Sequence, residues 1–453
     1  MDKLKFVTDF RCPTRPPMKV AALAGVLQAL FTTRADELAR ATGFVRRARA
    51  FDGGAFLQAL VLGWLRRPRA TLEVLAGPLG VSRQALQQRW TAAAAAFGKA
   101  CLLEAVSAAL TARPEVLLLL EQFRGVYLDD ATHLALPDAC ADAFPGCGSG
   151  LPGLGQAGMK VLVRWELQGG RVAHLGIHPA RTADPTAQAE APPLPAGSLH
   201  LADLGFTDFG RLQGLTGQGV YWVNKVPVQS RLYPAAGADV PLAEQLRAWR
   251  QAGRTRIDQS CRLGNRAAVD GRLVALACPP EVVARRLQKL QEAARRRGRA
   301  VSERQRELCH WTVLLTNVAA DRLTAERVWL AYRLRWQVEL LFKRFKSGGG
   351  LGQSRSGQRY RVECEWYLKL LGQVVRNWLV LLRGGPLADV NPHTLDALVQ
   401  DGLAAVFAAL RRGGALRAVL RRLRRELGRV RRRTRRRQRK TMYQLLQDAR
   451  IEN

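Results

Sequence analysis

Acidic side chains are scarce: 37 Asp plus Glu stand against 71 Lys plus Arg in 453 residues, a formal charge of +34. The resulting pI lies near 11.2. Such a field draws polyanions through counterion release, which makes nucleic acid the leading partner. The abundance of Ala, Leu, Arg and Gly also fits a compositional bias of the source genome, but the positive charge concentrates towards the C-terminus. Paired cysteines are missing as well. Cys12, Cys101, Cys140, Cys147, Cys261, Cys278, Cys309 and Cys364 include no CxxC pair, so neither a zinc site nor a disulfide framework is suggested and a reducing cytoplasm fits. No uncharged apolar run reaches 18 residues, and the opening decapeptide has no apolar signal core. A soluble, intracellular protein without a membrane partner is therefore expected. Finally, the glycine-rich segment 145–158 is followed by no Gly-Lys-Ser/Thr, which removes a phosphate-loop nucleotide site.

What is present is a chain able to bury a sizeable core, with 47% hydrophobic residues and 24% charged ones. Residues 19 to 120 show helical spacing with almost no strand-like alternation, which predicts an all-helical N-terminal region, 1–120. Within it, Thr71 to Trp90 is a candidate helix-turn-helix, with Gly80 at the turn and Ser82 capping a second helix. Pro78 falls inside the first of these helices, so an ordinary helical hairpin stands equally open. On the DNA-reading alternative, Arg83, Gln84, Gln87 and Gln88 would be the exposed readers.

From residue 124 the pattern becomes mixed α/β. Strands are predicted at 124–128, 159–165, 171–177, 198–202, 219–224 and 311–316. The Gly/Pro-rich segment between the first two reads as a mobile loop. Residues 227–310 read as an insertion that ends in a basic helix, Arg285 to Gly298. This divides the core into a first part, 121–226, and a second part, 311–383, followed by a helical, arginine-rich region, 384–453. Arg411 to Lys440 contains a single acid, Glu426. A block of that density is either a solvated tail or a segment that folds on an anionic partner, and the charge of the whole chain favours contact with DNA.

The most informative stretch runs from Tyr332 to Lys346. At 100° per residue, Tyr332, Arg335, Glu339 and Lys346 fall within roughly 60° of arc. Leu334, Val338, Leu341 and Phe345 gather on another side, and Arg333, Gln337 and Arg344 fill an outward sector. The polar wedge sets one carboxylate among cations and a phenol, as a phosphate-handling site requires. If Glu339 binds a hard cation it needs further oxygen ligands, and Asp130 and Asp203 are the candidates, each read as standing at a strand end. Each aspartate taken alone would more simply be a turn or cap residue. Three converging carboxylates could hold two Mg²⁺ ions about 3.5 to 4 Å apart, suited to phosphodiester chemistry.

Taken together, these motifs resemble the DDE transposases of bacterial insertion sequences, in the IS-four family with its Tyr-x2-Arg-x3-Glu-x6-Lys signature. Tyr332, Arg335, Glu339 and Lys346 match that spacing, and the contexts of Asp130 (Asp-x-Thr) and Asp203 (Asp-x-Gly-Phe) are similar to the family's two aspartates. Asp129 competes with Asp130, but the residues that follow favour Asp130. Ala131 replaces the small polar residue or glycine frequent in the family. Thr42 to Arg47 and Ser82 to Leu86 are similar to the family's N-terminal region.

The resemblance implies an RNase H-like catalytic core interrupted by a β-rich insertion. It implies an enzyme that cuts an insertion sequence at its inverted-repeat ends and joins it to target DNA, in a bacterial cytoplasm at the nucleoid. Asp130, Asp203 and Glu339 would be catalytic and would hold Mg²⁺, with Mn²⁺ able to substitute. Tyr332, Arg335 and Lys346 would bind DNA phosphate. Trp311, 21 residues before Tyr332 (332 − 311), matches a base-stacking tryptophan of hairpin-forming relatives, while a buried core position is its equal alternative. A homodimer assembled on double-stranded DNA is expected, since two ends are cut together. The competing readings are a non-catalytic or domesticated DNA-binding protein and a structure-directed RNase H-like nuclease.

Overall fold

Alternating hydrophobicity begins at Val126 and builds strand β1 (Val126–Leu136), with Val126, Leu128, Leu134 and Leu136 buried on one face. In the computed structural model, which describes residues 18–47, 51–108, 120–148, 155–234, 237–335, 342, 350–351, 354, 356–384, 390, 392–410 and 412–430, this strand runs through Asp129 and Asp130. The sequence placed Asp130 just beyond the strand. The strand instead continues to Leu136, because Thr132, Leu134 and Leu136 keep the same alternation.

Strands β2 (Ala157–Glu166) and β3 (Arg171–Pro179) complete an antiparallel meander with β1. The ends of the Gly/Pro-rich segment are tied together by a Gly146 N–H bond to the Gln156 carbonyl at 2.8 Å, while its centre, residues 149–154, lies outside the described residues. Helix α7 (Asp184–Ala189) leads to β4 (Leu199–Ala202), and α8 (Phe209–Gly217) leads to β5 (Tyr221–Lys225). Both β4 and β5 run parallel to β1, which gives the order β3-β2-β1-β4-β5.

Residues 227–310 extend this same sheet. Four strands, β6 (Arg231–Tyr233), β7 (Val240–Pro241), β8 (Arg256–Gly264) and β9 (Ala268–Ala277), join it through β10 (Trp311–Thr316), which is antiparallel to both β5 and β9. Three helices, α9 (Leu242–Gln251), α10 (Pro280–Arg296) and α11 (Glu303–Cys309), accompany these strands. The result is one mixed ten-stranded sheet with helices against it.

The N- and C-terminal helices share a core. Those before the sheet are α1 (Val20–Phe31), α2 (Thr33–Ala41), α3 (Gly53–Arg66), α4 (Leu72–Ala76), α5 (Arg83–Gln87) and α6 (Ala92–Ser107). After β10 come α12 (Ala325–Arg333), the long α13 (Arg359–Leu381), α14 (Pro392–Ala408) and α15 (Gly413–Gly428). Helix α13 is buried from Val362 to Leu381 and packs on α3 and α6. Its buried Lys369 is neutralised by Glu365 at 2.6 Å, and Asn377 Nδ2 donates to the Gly170 carbonyl at 3.0 Å, tying the helices to the β2–β3 turn. Phe31 and Phe407 meet edge to face at 5.0 Å, so α1 and α14, far apart in sequence, are neighbours.

Part of the arginine-rich stretch is a folded helix. In α15, Leu416, Leu420, Leu423 and Leu427 recur at helical spacing and are buried, while Arg417, Arg421, Arg422, Arg424 and Arg425 are exposed. Each buried Leu contributes about 1.5 to 3 kcal/mol to seating this helix on its neighbours. Residues 431–440 of that stretch lie outside the described residues. In the candidate helix-turn-helix, α4 ends before Pro78, Gly80 takes a left-handed φ of 64°, and the Ser82 side chain accepts the Ala85 N–H at 3.1 Å. Helix α5 then spans five residues. Arg83, Gln84 and Gln88 are exposed, whereas Gln87 is half-buried against α13, bonded to Gln358 at 3.1 Å and Arg361 at 3.3 Å.

Candidate active site

Adjacent strand residues point to opposite faces, and β1 uses this to separate Asp129 from Asp130. Asp130 shares its face with Val126 and Leu128, and its Oδ1 accepts the Ala131 backbone N–H at 2.8 Å. That bond comes from the main chain, so the side chain at position 131 does not enter it. Asp203 follows β4 directly and opens a short 3-10 turn, Leu204–Phe206. Ala202 pairs with Asp129 in the parallel ladder, which sets the two strands so that Asp130 and Asp203 lie on the same side. Gly205 keeps this turn close to its neighbours, since a Cβ there would lie 2.5 Å from Asp184 Oδ2.

Helix α12 delivers the other groups. Thr324 caps it, Val328, Leu330 and Ala331 seat it in the core, Tyr332 lies in its last turn and Arg335 in the turn that follows. The Tyr332 hydroxyl donates to Asp203 Oδ1 at 3.0 Å. Arg335 Nη1 donates to Asp130 Oδ2 at 3.1 Å, and Arg335 Nε lies 4.0 Å from Asp203 Oδ1. One guanidinium thus faces both carboxylates. Four of the residues singled out from sequence, Asp130, Asp203, Tyr332 and Arg335, meet here. Glu339 and Lys346 lie outside the described residues.

Sequence reading missed Lys225. It ends β5, and its Nζ stands 3.5 Å from Asp203 Oδ1 and 5.7 Å from the Tyr332 ring centre. A lysine closing an apolar strand parallel to the Asp203 strand was the available signal, but only the sheet order makes the two strand ends neighbours.

The charges are mutually adjusted. Burial alone would raise the Asp203 carboxyl, but Lys225, then Arg335, together with bonds from Leu204 and Tyr332, hold it below the usual carboxylate range. Burial, and next the Asp203 charge, push the Tyr332 phenol far up, so it remains a neutral O–H donor. The site is accessible: the side chains of Asp203 and Lys225 are 37% and 44% exposed.

Trp311 lies elsewhere. Its ring belongs to the core between the extended sheet and its helices, 2% exposed, and its Nε1 donates to Glu307 Oε1 at 3.4 Å. It holds the core position that the sequence left open beside base stacking. Asp129 also lies apart. It is fully buried on the other face of β1, bonded twice by Arg164 at 2.8 Å and once by Gln188 at 2.6 Å, with His200 Nε2 at 3.1 Å.

The mixed sheet thus brings two aspartates from parallel strands to a cationic, phenolic helix end. Residues 121–373 match the transposase DDE domain family, and the chain belongs to that family; it is a DNA transposase. It is similar to the transposase for insertion sequence element IS231F of Bacillus thuringiensis subsp. israelensis, 24% identical over 443 residues that cover 91% of each chain. The transposase for element IS231C of Bacillus thuringiensis subsp. berliner is 23% identical over 454 residues, again 91% of each. A shorter match, 42% identical over 81 residues, joins 18% of this chain to 22% of the putative transposase InsL for element IS186A of Escherichia coli (strain K12). Among the described residues no helix is long and apolar enough to cross a membrane.

Proposed function

We propose that β3-β2-β1-β4-β5 is an RNase H-like catalytic core, with Asp130 and Asp203 as its metal-holding aspartates and Glu339 as the third carboxylate. The observation that carries this is the Arg335 guanidinium lying against both aspartates, 3.1 Å from one and 4.0 Å from the other. Two carboxylates that share a cation, with a second cation at 3.5 Å, form a place built for positive charge. Their all-oxygen donors suit Mg²⁺ or Mn²⁺ rather than a softer metal. Bound there, divalent metal would supply Lewis-acid activation of the attacking oxygen and charge stabilisation at the leaving one.

The chain's own residues then bind and orient DNA. Arg335, with its planar fork, and Lys225, a compact ammonium, would meet the phosphate next to the scissile bond, with Lys346 as the third such cation. Tyr332 keeps its proton and offers an O–H to Asp203 or to a phosphate oxygen. In this reading the enzyme cuts an insertion sequence at its inverted-repeat ends, water attacking a phosphodiester to release a 3′-hydroxyl. That hydroxyl then attacks a target phosphodiester, and one strand is exchanged for another without a covalent protein intermediate. Two ends must be held together, so the working unit is a dimer assembled on DNA. A particle mass corresponding to a single protomer on paired ends would sink that assignment.

The test is cleavage of a duplex carrying the element end in Mg²⁺, beside an unrelated duplex. Asp130→Asn and Asp203→Asn should each reduce product to the level without enzyme. Failure of the wild type to cut would favour a DNA-binding role alone, and equal cutting of both duplexes would favour a general nuclease.

A further inference from the structure

Behind the site lies a second charged cluster that the proposed chemistry does not use. Asp129, Arg164, His200 and Gln188 are all buried, with Asp129 and Gln188 at 0% exposure. Arg164 stands opposite Asp129 in the β1–β2 ladder and grips both of its oxygens at 2.8 Å. Its remaining arm donates to the Pro192 carbonyl at 2.5 Å. His200 comes from β4 on the other side of β1, and Gln188 descends from α7. The four groups therefore span β2, β1, β4 and the covering helix. Apolar side chains of similar volume often stabilise such a position as well as a buried ion pair does, so stability alone does not account for it.

Register does. The apolar alternation of β1 decides which face is buried, and a slip by one residue would turn every side chain over. A slip by two residues preserves the faces and is not penalised by alternation. It would carry Asp130 along the sheet by about 6.6 Å, at roughly 3.3 Å per residue, out of reach of Arg335 and Asp203. It would also separate Asp129 from Arg164 and leave both charges buried and unpaired. We propose that the Asp129–Arg164–His200–Gln188 cluster is a positioning device that locks β1 between β2 and β4, and thereby holds Asp130 convergent with Asp203. It agrees with the apolar alternation on which of the two consecutive aspartates faces the site, because the β1–β2 ladder sets Arg164 opposite Asp129 and Val163 opposite Asp130. This rests on the assignment of Asp130 to the metal site.

The experiment compares full-length wild type with the double variant Asp129→Leu/Arg164→Met, which removes both charges together. Chemical unfolding reports the fold, and calorimetric titration with Mn²⁺ without DNA reports the site. A cooperative unfolding transition is expected with Mn²⁺ affinity weakened by about tenfold or more, the scale for losing support behind a metal ligand. A cooperatively folded double variant with wild-type Mn²⁺ affinity would overturn the proposal. If the double variant does not fold, Arg164→Lys, which keeps the charge but not the two-pronged grip, is titrated instead; weaker Mn²⁺ binding supports the proposal and unchanged binding overturns it. Asp130→Asn separates the two claims. Unchanged Mn²⁺ affinity and cleavage there would remove the site assignment and this proposal with it, whereas loss there with unchanged Arg164 variants removes this proposal alone.

Discussion

Asp129 and Asp130 share one strand, yet the two faces of the sheet treat their charges differently. On the front, Asp130 and Asp203 meet cations that are partly open to water, at 3.1 to 4.0 Å. On the back, Asp129 is sealed and held by three partners, with one bidentate arginine at 2.8 Å. Burial raises the Asp129 carboxyl, but the charges of Arg164 and His200 and their hydrogen bonds outweigh it and hold the group well below the usual range. The front cations are partly open to water and so can exchange partners. On the back, Asp129, Arg164, His200 and Gln188 are all buried. The comparison teaches that an ion pair's role follows from its access to water as much as from its residue types.

The comparison can be broken most sharply by activity. Neutralising Asp130 or Asp203 should abolish DNA cleavage while cooperative unfolding persists, since the front-face charges are partly solvated. A variant that loses cleavage only because it no longer folds would contradict the division between faces. Next in size is stability. Arg164→Ala strands a buried carboxylate and should cost about 3 to 5 kcal/mol in urea unfolding, the range for a broken buried pair. Lys225→Ala should instead leave the unfolding midpoint nearly unchanged and lower cleavage by about 10- to 100-fold, equivalent to about 1.5 to 3 kcal/mol for one hydrogen bond to a charged group. A fall in midpoint comparable to that of Arg164→Ala would show that Lys225 belongs to the scaffold.

The smallest effect is on pH dependence. Asp129 has a folded pKa below its unfolded value of about 3.9, so its contribution is fully present above that pH and is lost as pH falls through the folded value. Burial also lowers the His200 pKa, against the pull of Asp129, so folding loses stability as pH drops below about 6.5, the unfolded value, towards the folded one. In the Asp129→Leu/Arg164→Met double variant, with unfolding midpoints followed from neutral to acid pH, the slope near the carboxylate range should disappear, whereas the His200 slope should persist, because burial still lowers that pKa and the opposing carboxylate is gone. An unaltered slope in the carboxylate range would place that acid sensitivity elsewhere.

Local pattern alone located six strands of the sheet, because alternation and β-branched residues are visible within five or six positions. Leu416 to Leu427 carry helical spacing in plain view, but the surrounding arginines masked it, and burial of those leucines depends on α1 and α14. The strands of residues 227–310 were blurred because exposed β8 residues alternate irregularly and β6 and β7 are two or three residues long. The front-face residues Asp130, Asp203, Tyr332 and Arg335 were legible from motif and spacing. Lys225 was not, since nothing in its own neighbourhood marks it.

By itself the sequence determined the strongly basic character of the protein, its mixed α/β class and the residue types able to handle phosphate. Those follow from composition and short-range periodicity. Only the tertiary structure decided that Lys225 stands beside Asp203, that Asp129 is buried against Arg164 on the opposite face, that Trp311 is a core residue, and that α1 packs against α14 and α15. Each of these depends on which strands and helices become neighbours, through pairings between residues as far apart as Asp130 and Arg335. Such pairings are set by global burial and register, and no local stretch of sequence records them.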